Sequence, residues 1–153
     1  MLGAPNLEDM HVMANSVRRV YNRLKHSTDL LHKDTGVSAP KRTLLMDLNR
    51  YGPQAVPALA SARFISRQII QTQVNDLAEM GYVVAKPNPG HKRSSLMSLT
   101  ASGQTFVEHM IARENVFLQE IGWLPDAGEL ATCVKVLDAI NTHLAASEAD
   151  SGR

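Results

Sequence analysis

Between Ser66 and Asn75 the chain gathers Arg67, Gln68, Gln71, Thr72 and Asn75, and Lys92 with Arg93 follow further on in a polar segment. None of these residue types in this spacing makes or breaks bonds. Glutamine and asparagine bond adenine edges in pairs, and an arginine at a helix start reaches a guanine or a phosphate. Lysine and arginine at the tip of a loop suit phosphates or a narrow minor groove, where negative potential is strongest. The chemistry is recognition of double-stranded nucleic acid, with Ser66, Arg67, Gln68, Gln71, Thr72, Asn75, Lys92 and Arg93 as the candidate contact residues.

Such residues need a helix and a hairpin to hold them. Ser66 is a good N-cap, because its hydroxyl can accept a bond from a first-turn amide. After it, Ile70, Val74 and Leu77 stand at i, i+4 and i+7 and make a buried stripe. At about 100° per residue, Gln68, Thr72, Asn75 and Glu79 point the other way, with Gln71 on the flank. Gly81 is expected to close this helix in left-handed geometry. Tyr82 to Ala85 and Leu96 to Leu99 read as strands, and the Lys-Pro-Asn-Pro-Gly-His-Lys-Arg-Ser stretch between them is too polar and turn-rich to be buried. Upstream, Leu7 to His32 has helical apolar spacing, Gly36 and Pro40 bracket a break, and Leu44, Leu45 and Leu48 mark a second helix ending near Tyr51, Gly52 and Pro53. A short helix from about Pro57 to Arg63 follows, its proline tolerable in the first turn. Short helix, polar-faced helix, then hairpin is the order of a winged helix-turn-helix. The fold class expected is mainly α with a small β-hairpin wing.

Charge is distributed accordingly. From Lys41 to Thr100 eight basic residues stand against three acidic ones, a net of +5, whereas from Ala101 to Arg153 three basic stand against eight acidic, a net of −5. A polyanion is expected at the middle of the chain. With 153 residues, 44% hydrophobic and 20% charged, the composition is that of an ordinary globular protein. No run of about 18 apolar residues exists, no export leader is expected, and the lone Cys133 excludes an internal disulfide framework. The expected compartment is the cytoplasm, with no membrane contact.

On these residues the sequence resembles the MarR family of transcriptional regulators, from about Val37 to Gly103. The resemblance is strongest at Leu77-Ala-Glu-Met-Gly81-Tyr-Val and from Lys92-Arg93 through Leu99-Thr100-Ala-Ser-Gly103. Family members usually carry Asp-X-Arg in the wing. Here the arginine is Arg93, and His91 takes the aspartate position, which removes a carboxylate expected to orient the arginine. The resemblance implies a homodimer that represses or activates genes from a pseudo-palindromic operator, repression being the expectation, and that is released by a small aromatic or phenolic effector. Segments from Leu7 to Arg19 and Leu44 to Tyr51 are the expected pocket.

The remaining helices lend the dimer independent support. Thr100 to Ile121 and Leu130 to Leu144 read as helices whose apolar faces exceed what the winged module can cover. The expected organisation is an N-terminal dimerisation helix in 1–35, the winged helix-turn-helix in 36–100, C-terminal dimerisation helices in 101–148 and a flexible tail in 149–153.

Other residues take plainer expectations. Cys133 lies in an apolar stripe and reads as an inert packed thiol. Trp123 is expected to anchor the turn before the last helix. No two of the six histidines stand at i and i+4 with a carboxylate, so no metal site is expected. No nucleophile elbow, phosphate-cradling loop or carboxylate pair suggests catalysis, and no cofactor is expected. The alternatives are a redox- or metal-responsive switch on the same scaffold and a winged-helix protein-interaction module without its own operator.

Overall fold

The computed structural model describes residues 6–151, so residues 1–5 and 152–153 of the expected first and last segments lie outside the described residues. Six α-helices and three short strands follow in the order α1 Leu7–Leu31, α2 Ala39–Tyr51, β1 Gln54–Ala55, α3 Val56–Arg63, α4 Arg67–Glu79, β2 Val83–Lys86, β3 Leu96–Leu99, α5 Ala101–Glu120 and α6 Ala127–Ser151. They divide into two compact units, Met1–Asn115 and Val116–Arg153.

In the first unit the core is formed by the inward stripes of α2, α3 and α4. Leu44, Leu45, Leu48, Leu59, Ile70, Val74 and Leu77 are all buried, with Val83 and Met97 of the sheet and Val107 of α5 beside them. Each such aliphatic side chain contributes on the order of 1.5–3 kcal/mol by leaving water. α2 begins earlier than its leucines suggest. Pro40 occupies its first turn, where the missing N–H costs nothing, and therefore starts this helix rather than preceding it. Gly52, at φ +77°, ends α2 just before Pro53.

α3 meets α4 through a turn in which Phe64 holds left-handed backbone at φ +53°, although its side chain is 65% exposed. Ile65 then packs against the core, Ser66 caps, and Ile70 is fully buried one turn on. This is the spacing of a hydrophobic staple around the cap. The end of α4 is a Schellman motif. Gly81 N donates to Ala78 O at 2.9 Å and Tyr82 N to Leu77 O at 2.9 Å, with Gly81 at φ +77°. Tyr82 is thereby spent on the helix end, so β2 starts at Val83 and not at Tyr82. Its ring stacks on Phe106 of α5 with centroids 4.7 Å apart.

The wing belongs to a three-stranded antiparallel sheet in the order β1-β3-β2. β2 pairs with β3 from Val83↔Leu99 to Lys86↔Leu96, and β1 adds Gln54↔Met97 and Ala55↔Leu96. At its close Thr100 ties three elements together. Its N–H donates to Tyr82 O at 3.0 Å, its hydroxyl donates to Gly81 O at 2.6 Å, and the same oxygen accepts from Gly103 N at 3.0 Å. Thr100 thus caps α5 while holding the wing to the end of α4.

α1 opens with a capping box between Asn6 and Asp9. Its C-terminal end is fixed by polar contacts. Arg42, 6% exposed, donates to Asp29 Oδ1 and Val37 O, each at 2.7 Å, and Arg113 donates to Leu31 O at 2.6 Å and to Asp34. Buried His32 shares a hydrogen bond of 3.0 Å with Glu114. No residue of α1 itself is buried, and Val17, Val20, Tyr21 and Leu24 are exposed.

In the second unit, Asp126 and Glu129 form a capping box. Asp126 Oδ1 accepts from Gly128 N and Glu129 N, while Glu129 returns a bond to Asp126 N. α6 accordingly starts before Leu130 and runs through Ser151, into the stretch expected to be a tail. Leu130, Val134, Val136, Leu137 and Leu144 are exposed, as is Cys133. Trp123 is 71% exposed. Neither the packed thiol nor the anchoring tryptophan expected from the sequence is found. An apolar stripe shows that a face needs covering, and the described residues leave it exposed. No described helix is long and apolar enough to cross a membrane.

Candidate nucleic-acid interface

The cap places α4. Ser66 Oγ accepts from Ile69 N at 3.3 Å, which sets the first turn of α4 and turns Arg67 and Gln68 outward. Ile70, Val74 and Leu77 hold the opposite side in the core. Ser66, Arg67, Gln68, Gln71, Thr72 and Asn75 are all exposed, as the 100° spacing predicts.

The hairpin closes the other wall. Within its loop His91 N donates to Asn88 O at 3.2 Å, Ser94 N to His91 O at 3.1 Å and Gly90 N to the Asn88 side chain at 3.1 Å. These two successive turns carry His91, Lys92 and Arg93, all exposed. Arg67, Gln68 and Gln71 of α4 then line one open groove of about 540 Å³ together with Arg93, Ser94 and Ser95 of the wing. The floor includes Val56, Pro57 and Met97. Ser94, Ser95 and Pro57 are not among the contact residues expected from sequence. The serines carry a signal only in hindsight, as small polar residues directly after Arg93. Lys92 lies outside the groove lining, further along the loop.

The side chains differ in how free they are. Gln71 Nε2 donates to Asn75 Oδ1 at 2.9 Å, so these two amides present a joined surface. Thr72 donates its hydroxyl to Gln68 O at 3.0 Å, which spends the polar group on the helix backbone. Arg67, Gln68 and Arg93 have no side-chain partner among the described residues.

The basic count in the middle of the chain overstates the free charge. Lys41 pairs with Asp76 at 2.7 Å, Arg42 with Asp29, and Arg63 bidentately with Asp47, its Nε 2.6 Å from Oδ2. Arg50 lies over the Tyr51 ring, 5.6 Å from its centroid. The cations left unpaired are Arg67, Lys86, Lys92 and Arg93, all on α4 or the wing. Pairing therefore leaves the unpaired positive charge of this stretch on α4 and the wing.

The segments expected to form an effector pocket contribute partly. Leu44 lines a concavity of about 270 Å³ with Tyr21, Pro40, Arg63, Ile65 and Gln73, and Ser16 and Arg19 line a shallower one along α1. Among the described residues no three histidine, cysteine, aspartate or glutamate side chains gather as a metal ion would need.

Residues 35–94 match the sequence model of the MarR family. Comparison with curated protein sequences returned no match. Among solved structures, a MarR regulator from Methanosarcina mazei Go1 aligns at 14% identity over 88% of this chain and 99% of its own, with a TM-score of 0.76. Wild-type apo MarR from E. coli aligns at 18% identity over 90% of this chain and 98% of its own, with a TM-score of 0.69. BpsR from Bordetella bronchiseptica, whose DNA binding 6-hydroxynicotinic acid regulates, aligns at 19% identity over 91% of this chain and 98% of its own, with a TM-score of 0.68. The matched segment is thus similar to the MarR family, and the fold is that of MarR-type winged helix-turn-helix structures.

Proposed function

We propose that this protein is a transcriptional repressor that grips a pseudo-palindromic operator as a homodimer. One observation carries the reading: unpaired Arg67, Gln68 and Arg93 come from two separate elements to line a single groove. A helix presenting amides and a hairpin presenting cations on one wall of such a groove suit a major groove and its flanking phosphates. Ser66 holds the helix start, the Gln71–Asn75 pair extends the amide surface, and Lys92 reaches backbone beyond the groove. The apolar faces of α1 and α6, exposed in the single chain, supply the contact between two copies and set two such grooves about one DNA turn apart.

A small aromatic acid releases the operator by favouring a dimer geometry that misses it. The concavity at Tyr21, Leu44, Ile65 and Gln73 is the site offered for it. The regulation of one structural relative by a hydroxylated pyridine carboxylic acid accords with that chemistry. The protein works in the cytoplasm, where its DNA lies.

The test is a mobility-shift titration with DNA from upstream of the gene, at two salt concentrations, beside sedimentation at micromolar protein. Specific binding that falls steeply with salt, by a particle of twice the chain mass, is expected. Salt-insensitive or absent binding, or a lone chain at micromolar concentration, refutes the reading.

A further inference from the structure

The outward side of α4 is less polar than its sequence suggests. Ile69 lies in the first turn with its side chain 51% exposed, beside Gln68 on a helix that already has a complete buried stripe. One turn further, Thr72 has given its hydroxyl to Gln68 O, so the methyl is the part of that side chain left for a neighbour. Residues three apart share a helix face. Two apolar groups are thus presented together at the start of the helix, outside the groove lining and on the flank of α4 away from the wing, with Gln68 between them and the groove.

The neighbours decide what meets this apolar spot. The unpaired Arg67, Lys92 and Arg93 draw a polyanion to this end of α4, whose outward face runs from Gln68 in the groove through Thr72 to Ile69. In a DNA major groove the one apolar group on a base edge is the C5-methyl of thymine. We propose that Ile69, with the Thr72 methyl, reads thymine methyls in each half-site, so that part of the sequence preference is apolar and not carried by hydrogen bonds. This rests on the DNA-binding reading above and names which feature of the operator the helix selects.

The experiment uses the full chain and the tightest-binding duplex recovered by repeated selection from a random-sequence library. Each thymine is replaced singly by deoxyuridine, which removes the methyl and leaves base pairing intact. The expected result is one or two positions per half-site where the replacement weakens binding about three- to fivefold, the size expected when one methyl-sized group is no longer buried. Ile69→Ala should lose that sensitivity while keeping the salt dependence of the parent, and Ile69→Val should retain part of it. Because the side chain is half exposed and the Ser66 cap bonds the backbone N–H, the variants keep the fold, which circular dichroism verifies. A parent indifferent to deoxyuridine at every position, or an Ile69→Ala protein as sensitive as the parent, overturns the inference and leaves DNA binding standing. Failure to recover any duplex, with no salt-sensitive binding, sinks the underlying reading as well.

Discussion

Replacing Gly103 with alanine should damage this protein more than its place in a helix suggests. Gly103 sits in the first turn of α5, where alanine is ordinarily better than glycine by about 1 kcal/mol. Here a Cβ would stand 2.1 Å from Tyr82 O and 2.9 Å from Tyr82 C, both backbone atoms that no rotamer change can move away. Relief needs a shift of about 1 Å, and overpacking of this kind costs roughly 1–3 kcal/mol. The Thr100 N to Tyr82 O bond crosses the same contact and would stretch with it, losing about 1 kcal/mol. After the helix-propensity gain, the net loss is about 2 kcal/mol, or a fall in Tm of roughly 4–8 °C for a chain of this size. Urea unfolding followed by circular dichroism measures it, with Ser102→Ala as an exposed control expected to be neutral or slightly stabilising. Tyr82 begins the segment leading into the wing, so Gly103→Ala should also weaken DNA binding below the unfolding range. A Gly103→Ala protein as stable as the parent would refute the close approach of α5 to Tyr82 and the account of Thr100 as a three-way tie.

Arg93→Ala should weaken binding to all duplexes alike and lower the salt slope by about 1, whereas Gln68→Ala should mainly relax sequence preference; a mobility-shift series across salt and operator variants separates the two. Arg42→Met should cost about 2–3 kcal/mol in urea unfolding, because it removes two bonds from a charged donor and leaves Val37 O and Asp29 without them. Asp29, bonded first by Lys25 and then by Arg42, has its carboxyl held below the ordinary value of 3.8. Its contribution is therefore full above the unfolded value and lost as pH falls through the lower folded one, so parent stability should drop below about pH 4 and Asp29→Asn should flatten that drop. Asp34, lowered by Arg113, acts with the same sign and leaves some of the slope in place.

Much of the helix-turn-helix was legible because its signals are local. Ser66 as cap, the Ile70, Val74, Leu77 stripe, and the bounds of β3 need only neighbours in sequence to be recognised. β1 was missed because a two-residue strand carries no alternation; only its pairing with Met97 and Leu96 defines it. The fate of the charges was hidden for a related reason. Lys41, Arg42 and Arg63 count as basic in any window, yet their partners Asp76, Asp29 and Asp47 are distant in sequence and met only in the fold. Thr72 reads as a polar contact until its bond to Gln68 O is seen, and Ile69 passes unnoticed between two polar neighbours. Trp123 and Cys133 show the reverse error, since hydrophobicity says that a residue wants cover without saying from which molecule.

The turn at Phe64 joins α3 and α4 through one residue in left-handed backbone. A non-glycine residue in left-handed backbone gives up about 1–2 kcal/mol, and with its ring largely in water, burial within the chain does little to offset that. What holds the joint is the backbone at the end of α3, Ile65 N donating to Ala60 O at 3.1 Å and Phe64 N to Ser61 O at 3.3 Å, with Ile65 packed beneath and Ser66 capping the next turn. Loosen these, and the backbone gains by springing toward right-handed geometry, swinging α4 away from its bearing on α3. The bearing of α4 on α3 thus depends on local contacts that outweigh a backbone cost carried by a single residue.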